Sequence, residues 1–209
     1  MTGELVLGWR LWHLREGGLE SLAVNYVWTP GENVAACLAH GRLGCPDPPG
    51  RGCSCGFWAV WSPGHCLTRA SSAEPPYQVM GLIAAWGTVA LHGTEGFRAE
   101  RAAVRCLFTD RPWRWARPST TRRLAAWWRR STGGAPDDPQ LLAARDRRHE
   151  AALRTAAARY AVPAVSLREA AGLGLLGELG VPDHRVAEAV GLGDPVPGAG
   201  APPPPHGFV

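Results

Sequence analysis

Val79–His92 reads VMGLIAAWGTVALH and is followed by GTEGFRAERAAVRCLF at 93–108. In the first stretch Ile83, Ala85, Gly87, Val89 and Leu91 alternate with Leu82, Ala84, Trp86, Thr88 and Ala90. Period two places the two sets on opposite faces of a strand. Both sets are largely apolar, so the strand needs cover on both sides. That predicts a central strand or a bent barrel strand, with Gly87 as the bulge or bend. The run is too short for a membrane-spanning helix, and Gly81, Trp86 and Gly87 interrupt it.

Upstream, Leu5, Leu7, Trp9 and Leu11 repeat at period two. Glu16-Gly17-Gly18 signals a turn, and residues 19–28 place Leu22, Val24, Tyr26 and Trp28 on one face. This pair reads as a hairpin or two sequential strands, and Phe57–Trp61 as a further short strand. Pro30–Asn33 is a turn, residues 34–39 allow at most one helical turn, and 41–56 and 62–76 read as loops. Downstream, 98–108 predicts a helix with Ala99, Ala102, Ala103, Cys106 and Leu107 as its apolar stripe. A short helix capped by Thr120 or Thr121 is expected through Arg130. Residues 140–160 predict a helix with Leu142, His149, Leu153, Ala157 and Tyr160 along one side. Ser166 and Glu169 form a capping box opening another helix to about Leu179, with a last one from Pro182 to Gly191. Beyond Asp194 the Pro/Gly-rich tail is expected to be disordered.

The expected fold class is therefore α+β, a small antiparallel sheet or partial barrel followed by a helical C-terminal part. The expected organisation is a β-rich domain at 1–108, an Arg/Trp-rich segment and linker at 109–139, a helical subdomain at 140–193 and a tail at 194–209.

The 209 residues are 45 % apolar, enough for a real core. All 22 basic residues are arginine. Without lysine, Schiff-base catalysis and phosphate loops ending in Gly-Lys are excluded. The net charge is only +4, yet residues 111–130 hold seven Arg and no acid, a local basic patch. The N-terminal residues show no basic segment leading into an apolar run, so a soluble cytoplasmic protein is expected, with no membrane partner. In that compartment six cysteines suit ligands, core positions or redox groups better than disulfides.

Cys37, Cys45, Cys53 and Cys55 follow a C-x7-C-x7-C-x-C pattern. Zinc takes four thiolates in a tetrahedron, and a Gly/Pro-rich loop that cannot order itself by packing gains its folding energy from such an ion. Cys53-Ser54-Cys55-Gly56 looks like half a metal knuckle, with Gly56 relieving the backbone where amides approach sulfur. A structural zinc site is the favoured reading. Free thiols, a disulfide and an iron–sulfur or redox site are the alternatives, with His40 as a substitute for Cys45 and His65-Cys66 as a further choice. Cys66 and Cys106 read as small core residues.

The runs WTPGENVAAC, CSCGFWAVW and GLIAAWGTVALHGTEGFRAERAAV, with RYAVPAVSL further on, resemble a group of uncharacterised actinobacterial proteins. Their pattern is P-G-x-N, a Cys, His-Pro or Cys-Pro, C-x-C-G with an aromatic, and G-F-R-A-E. The resemblance covers roughly 5–108 and, more weakly, 140–180. It implies Cys45-Pro46 as the second ligand position, because a Cys/His exchange there is what a zinc site tolerates. It implies no activity.

Arg98 and Arg101 are candidates for holding a carboxylate or phosphate, against the plainer reading of an ion pair with Glu100. Trp9, Trp28, Trp58, Trp61 and Trp86 either fill the core or line a pocket, with Trp58 and Trp86 the candidate binding residues. Trp113, Arg122, Arg123, Trp127, Arg129 and Arg130 interleave stacking surface with charge. This suits a protein partner or, alternatively, nucleic acid. Leu167–Gly191 resembles helix-turn-helix only superficially, with just Arg168 and Arg185 as basic groups. No H-E-x-x-H occurs. The one place for acid–base chemistry is a pocket around His92, Arg98 and Glu100, and a structural histidine is the plainer reading. The favoured function is a non-enzymatic, zinc-stabilised binding or regulatory module acting through a Trp/Arg surface.

Overall fold

Strand pairing carries this molecule. The computed structural model describes residues 5–16, 18–37, 45–50, 52–69, 77–111 and 139–172. In chain order the elements are β1 (Val6–Arg15), β2 (Gly18–Ser21), β3 (Asn33–Val34), β4 (Phe57–Val60), α1 (Pro63–Arg69), β5 (Tyr77–His92) and β6 (Gly96–Phe108). They are followed by α2 (Pro139–Tyr160), β7 (Ala164–Val165) and α3 (Leu167–Gly172).

β5 runs antiparallel to β1 from Val6↔Ala85 to Leu14↔Tyr77, and to β6 from Gly81↔Leu107 to His92↔Gly96. β4 pairs with β6 and returns to β1 at Trp9↔Val60. The ring β1–β5–β6–β4 is thus closed by one residue pair, so the α+β class and the partial barrel are both realised. Gly87 is the bend: its φ is 77°, and the β5–β6 register shifts between Trp86 and Val89. The extra amide of this bulge, Thr88 N–H, donates to Glu100 Oε2 at 3.0 Å.

Both faces of the first half of β5 are buried, as its two apolar sets require. One face joins Val79, Ile83 and Ala85 to Trp12, Trp28, Phe57 and Phe97, and is covered by Leu153, Ala156, Ala157 and Tyr160 of α2. Those four lie at i, i+3, i+4 and i+7, one stripe of a helix. The other face joins Met80 and Leu82 to Trp9, Phe108 and Cys66 of α1, under Leu167 and Ala170 of α3. Tyr160 ties α2 to the sheet, donating to Trp28 O at 2.6 Å and accepting from Leu19 N at 3.1 Å. Ser166 and Glu169 cap each other's amides, Glu169 N to Ser166 Oγ at 3.0 Å and Ser166 N to Glu169 Oε2 at 3.4 Å, as the capping box predicts.

Four local expectations are corrected. Residues 98–108 form strand β6, not a helix: Ala102, Val104, Cys106 and Phe108 are buried at period two, and pairing on both edges outweighs alanine's helix preference. Residues 34–37 contain no helical turn, because Asn33–Val34 pairs with β6 and Ala35 N donates to Glu100 O at 2.7 Å. Residues 62–76 are not all loop, since α1 lies within them. Residues 19–28 are not one strand. The chain reverses after Ser21, whose N–H donates to Tyr26 O at 2.9 Å.

Candidate metal centre

The four cysteines of the C-x7-C-x7-C-x-C pattern converge. Cys37, Cys45, Cys53 and Cys55 place their sulfurs within 4.8 Å of one another. Cys37 follows β3, while Cys53 and Cys55 lead into β4, so pairing of both strands with β6 brings the two ends of the loop together. Cys37 Sγ and Cys53 Sγ stand 3.7 Å apart. That is far beyond a disulfide bond of about 2.05 Å. It matches the edge of a tetrahedron of sulfurs about 2.3 Å from a central zinc, which is roughly 3.8 Å. A cluster of several irons, each taking its own thiolate, needs sulfurs spread more widely. All six cysteines are reduced in the structure.

The backbone at Gly50 and at Cys53–Cys55 is shaped around these sulfurs. Cys53 N donates to Gly50 O at 3.3 Å, and Gly50 N donates to Cys55 Sγ at 3.3 Å. The amide that meets sulfur is therefore that of Gly50, not one relieved by Gly56. A Cβ on Gly50 would stand 2.8 Å from Cys45 Cβ and closer still to Cys45 Sγ, so only glycine fits beside this ligand.

The thiols are crowded enough to hold each other's protons. Cys45 is pushed up to about 12, first by its hydrogen bond with Cys53 and then by burial. Cys55 is raised by burial, which outweighs the lowering effect of the Gly50 amide. Four thiols this close ionise together only around a cation, and sulfur donors select zinc or iron. The donor set fits one tetrahedral ion.

Arg98 holds the knuckle from beneath. It is 6 % exposed. Its Nη1 donates to Cys53 O and, at 3.0 Å, to Cys55 O, while its Nε donates to His92 Nε2 at 2.7 Å. The indole of Trp58 stacks on His92 at 4.6 Å and lies 5.3 Å from the guanidinium, and its Nε1 donates to Ser54 O at 2.9 Å. His92 therefore accepts as neutral imidazole, and burial, then Arg98, lowers its pKa. Arg98 has no carboxylate partner among the described residues. A tetrathiolate around a divalent ion would carry net charge −2, and Arg98, bonded to the carbonyls of Cys53 and Cys55, would offset part of it.

The pocket expected around His92, Arg98 and Glu100 is not assembled. Arg98 and His92 are bonded to each other. Glu100 is held by the Thr88 amide and then by Arg101, which together lower its pKa. Arg101 is an ion-pair residue, 2.7 Å from Glu32 and 3.2 Å from Glu100. Trp86 is half-buried opposite Arg101 in register, whereas Trp9 and Trp28 are core. Cys66 and Cys106 are buried as expected, and burial pushes the Cys106 thiol up to about 12. Trp113, Arg122, Arg123, Trp127, Arg129, Arg130 and His40 lie outside the described residues, as do the expected elements at 120–130 and 173–209.

Sequence reading missed Gly50 and the supporting role of Arg98. The first was signalled by the Gly-x-Gly before Cys53. The second had no local signal, because the two carbonyls come from 45 and 43 residues away. Among the described residues no helix is long and apolar enough to cross a membrane. No family model, curated protein or solved structure matches the chain.

Proposed function

We propose that this protein is a non-enzymatic binding module whose loop is stapled by one structural zinc ion on Cys37, Cys45, Cys53 and Cys55, and which meets a protein partner through Trp and Arg side chains. The observation that carries the metal half is the convergence of four thiols within 4.8 Å, with one edge at 3.7 Å. All four positions are filled by cysteine, which closes the site and leaves no place for a reacting water. The binding half is supported by the Trp/Arg-rich run at 111–130 and by the half-buried Trp58, Trp61 and Trp86.

Metal content of purified protein tests the first half. One zinc per chain, lost when any of the four cysteines becomes serine, is the expected result; protein that folds with four titratable thiols and no metal refutes it. A second reading, nucleic-acid binding, is favoured by the seven arginines and absent acids at 111–130. It requires salt-dependent binding that disappears when Arg122, Arg123, Arg129 and Arg130 are replaced together.

A further inference from the structure

β6 is partnered piecewise on the edge away from β5. β4 covers residues 96–99, β3 covers 101–102 and β7 covers 107–108. Among the described residues no strand lies beside Ala103–Cys106. The register with β5 steps there from Val104 to Cys106, so Arg105 is the extra residue of a bulge. A cleft of about 550 Å³ opens over this gap, its walls including Gly31, Val104, Val162, Pro163 and Val165, with Arg105 as its one charged lining residue. Arg105 is exposed and, unlike Arg101 with its two carboxylates, bonds to none of the described residues.

We infer that this cleft accepts a short extended segment of a partner protein, with apolar side chains and one carboxylate that pairs with Arg105. A strand edge offers main-chain donors and acceptors at every second residue, and another extended chain is the ligand that satisfies them. The four-residue gap spans about 13 Å at roughly 3.3 Å per residue, room for three or four residues of peptide. The walls are apolar, which selects β-branched or aliphatic side chains, and the lone guanidinium selects an acid. The inference rests on the reading of the protein as a partner-binding module but places a contact away from the Trp/Arg run.

The test is selection of a random heptapeptide display library on the full-length, zinc-loaded chain, followed by titration of the synthetic winner. The expected winners carry aliphatic residues with Asp or Glu at one fixed position. Arg105→Glu weakens that peptide at least about tenfold, and selection on this variant turns to Lys or Arg at the same position. N-methylation of alternate peptide amides abolishes binding without touching the protein, and bound peptide protects the amides of 103–106 from exchange. No enrichment, enrichment indifferent to Arg105→Glu, or tight binding of an N-methylated peptide overturns the inference. Zinc content and the response to replacing Arg122, Arg123, Arg129 and Arg130 are read separately, so failure here is distinct from failure of the module itself.

Discussion

Replacing Gly50 by alanine adds one carbon where Cys45 already stands. The new Cβ would lie 2.8 Å from Cys45 Cβ, with Cys45 Sγ nearer still. Ordinary carbon contacts begin near 3.5 Å, so Cys45 or the turn must shift by roughly 0.7 Å or more. Zinc–sulfur distances are held to about 0.2 Å, and the same shift disturbs the Gly50 amide bond to Cys55 Sγ. Disturbing a ligand's support costs about 10–100-fold in metal affinity, or about 1.4–2.8 kcal/mol. Gly52 is the internal control. A Cβ there meets nothing within 4 Å, but its φ is 74°, so alanine adds only backbone strain of about 1 kcal/mol. Competition for zinc with a chromophoric chelator separates the two, with Gly50→Ala losing affinity well beyond Gly52→Ala. Equal affinity for Gly50→Ala and wild type would refute a tetrathiolate site of this geometry.

Tyr160→Phe leaves the Leu19 N–H and Trp28 C=O without their shared partner and is expected to lower unfolding free energy by about 2 kcal/mol, read by urea denaturation. Arg98→Met uncovers the carbonyls of Cys53 and Cys55 and removes the bond to His92. It should cost about 3 kcal/mol and weaken zinc, and a variant as stable as wild type would show that Arg98 does not support the knuckle. Burial lowers the pKa of His149 below its ordinary 6.5, outweighing the opposing bond with the Gln78 backbone. The unfolded histidine then holds more protons than the folded one below about pH 6.5, so stability is present above that pH and falls as pH drops through it, by at most about 1.4 kcal/mol per pH unit. His149→Gln should flatten this limb, and an unchanged pH profile of the melting temperature for that variant would assign the acid loss to another group.

The sheet was legible where one face of a strand needed an apolar neighbour at every second residue. Val79–His92 announced the central strand and the bend at Gly87, although the strand begins two residues earlier and is buried on both faces only in its first half, and α2 announced the Leu153–Tyr160 stripe. β6 was not legible. Ala99, Ala102, Ala103 and Cys106 fit a helical stripe as well as a strand, and only ten registered pairs with β5 decide between them. The metal site was legible as four cysteines because thiolate chemistry is a matter of residue type, whereas its support was not, because the Arg98 partners are distant in the chain.

By itself, the sequence determined that this chain has a two-faced central strand, an amphipathic helix after residue 139 and four thiols in a loop too rich in Gly and Pro to order itself. Residue type and local spacing are enough for such conclusions. Only the tertiary structure decided that the thiols converge within 4.8 Å, that Arg98 bonds to the knuckle and to His92, and that among the described residues β6 has a gap at Ala103–Cys106. Each of these depends on which distant strands meet, and pairing between strands far apart in sequence leaves no local trace in the residues that take part.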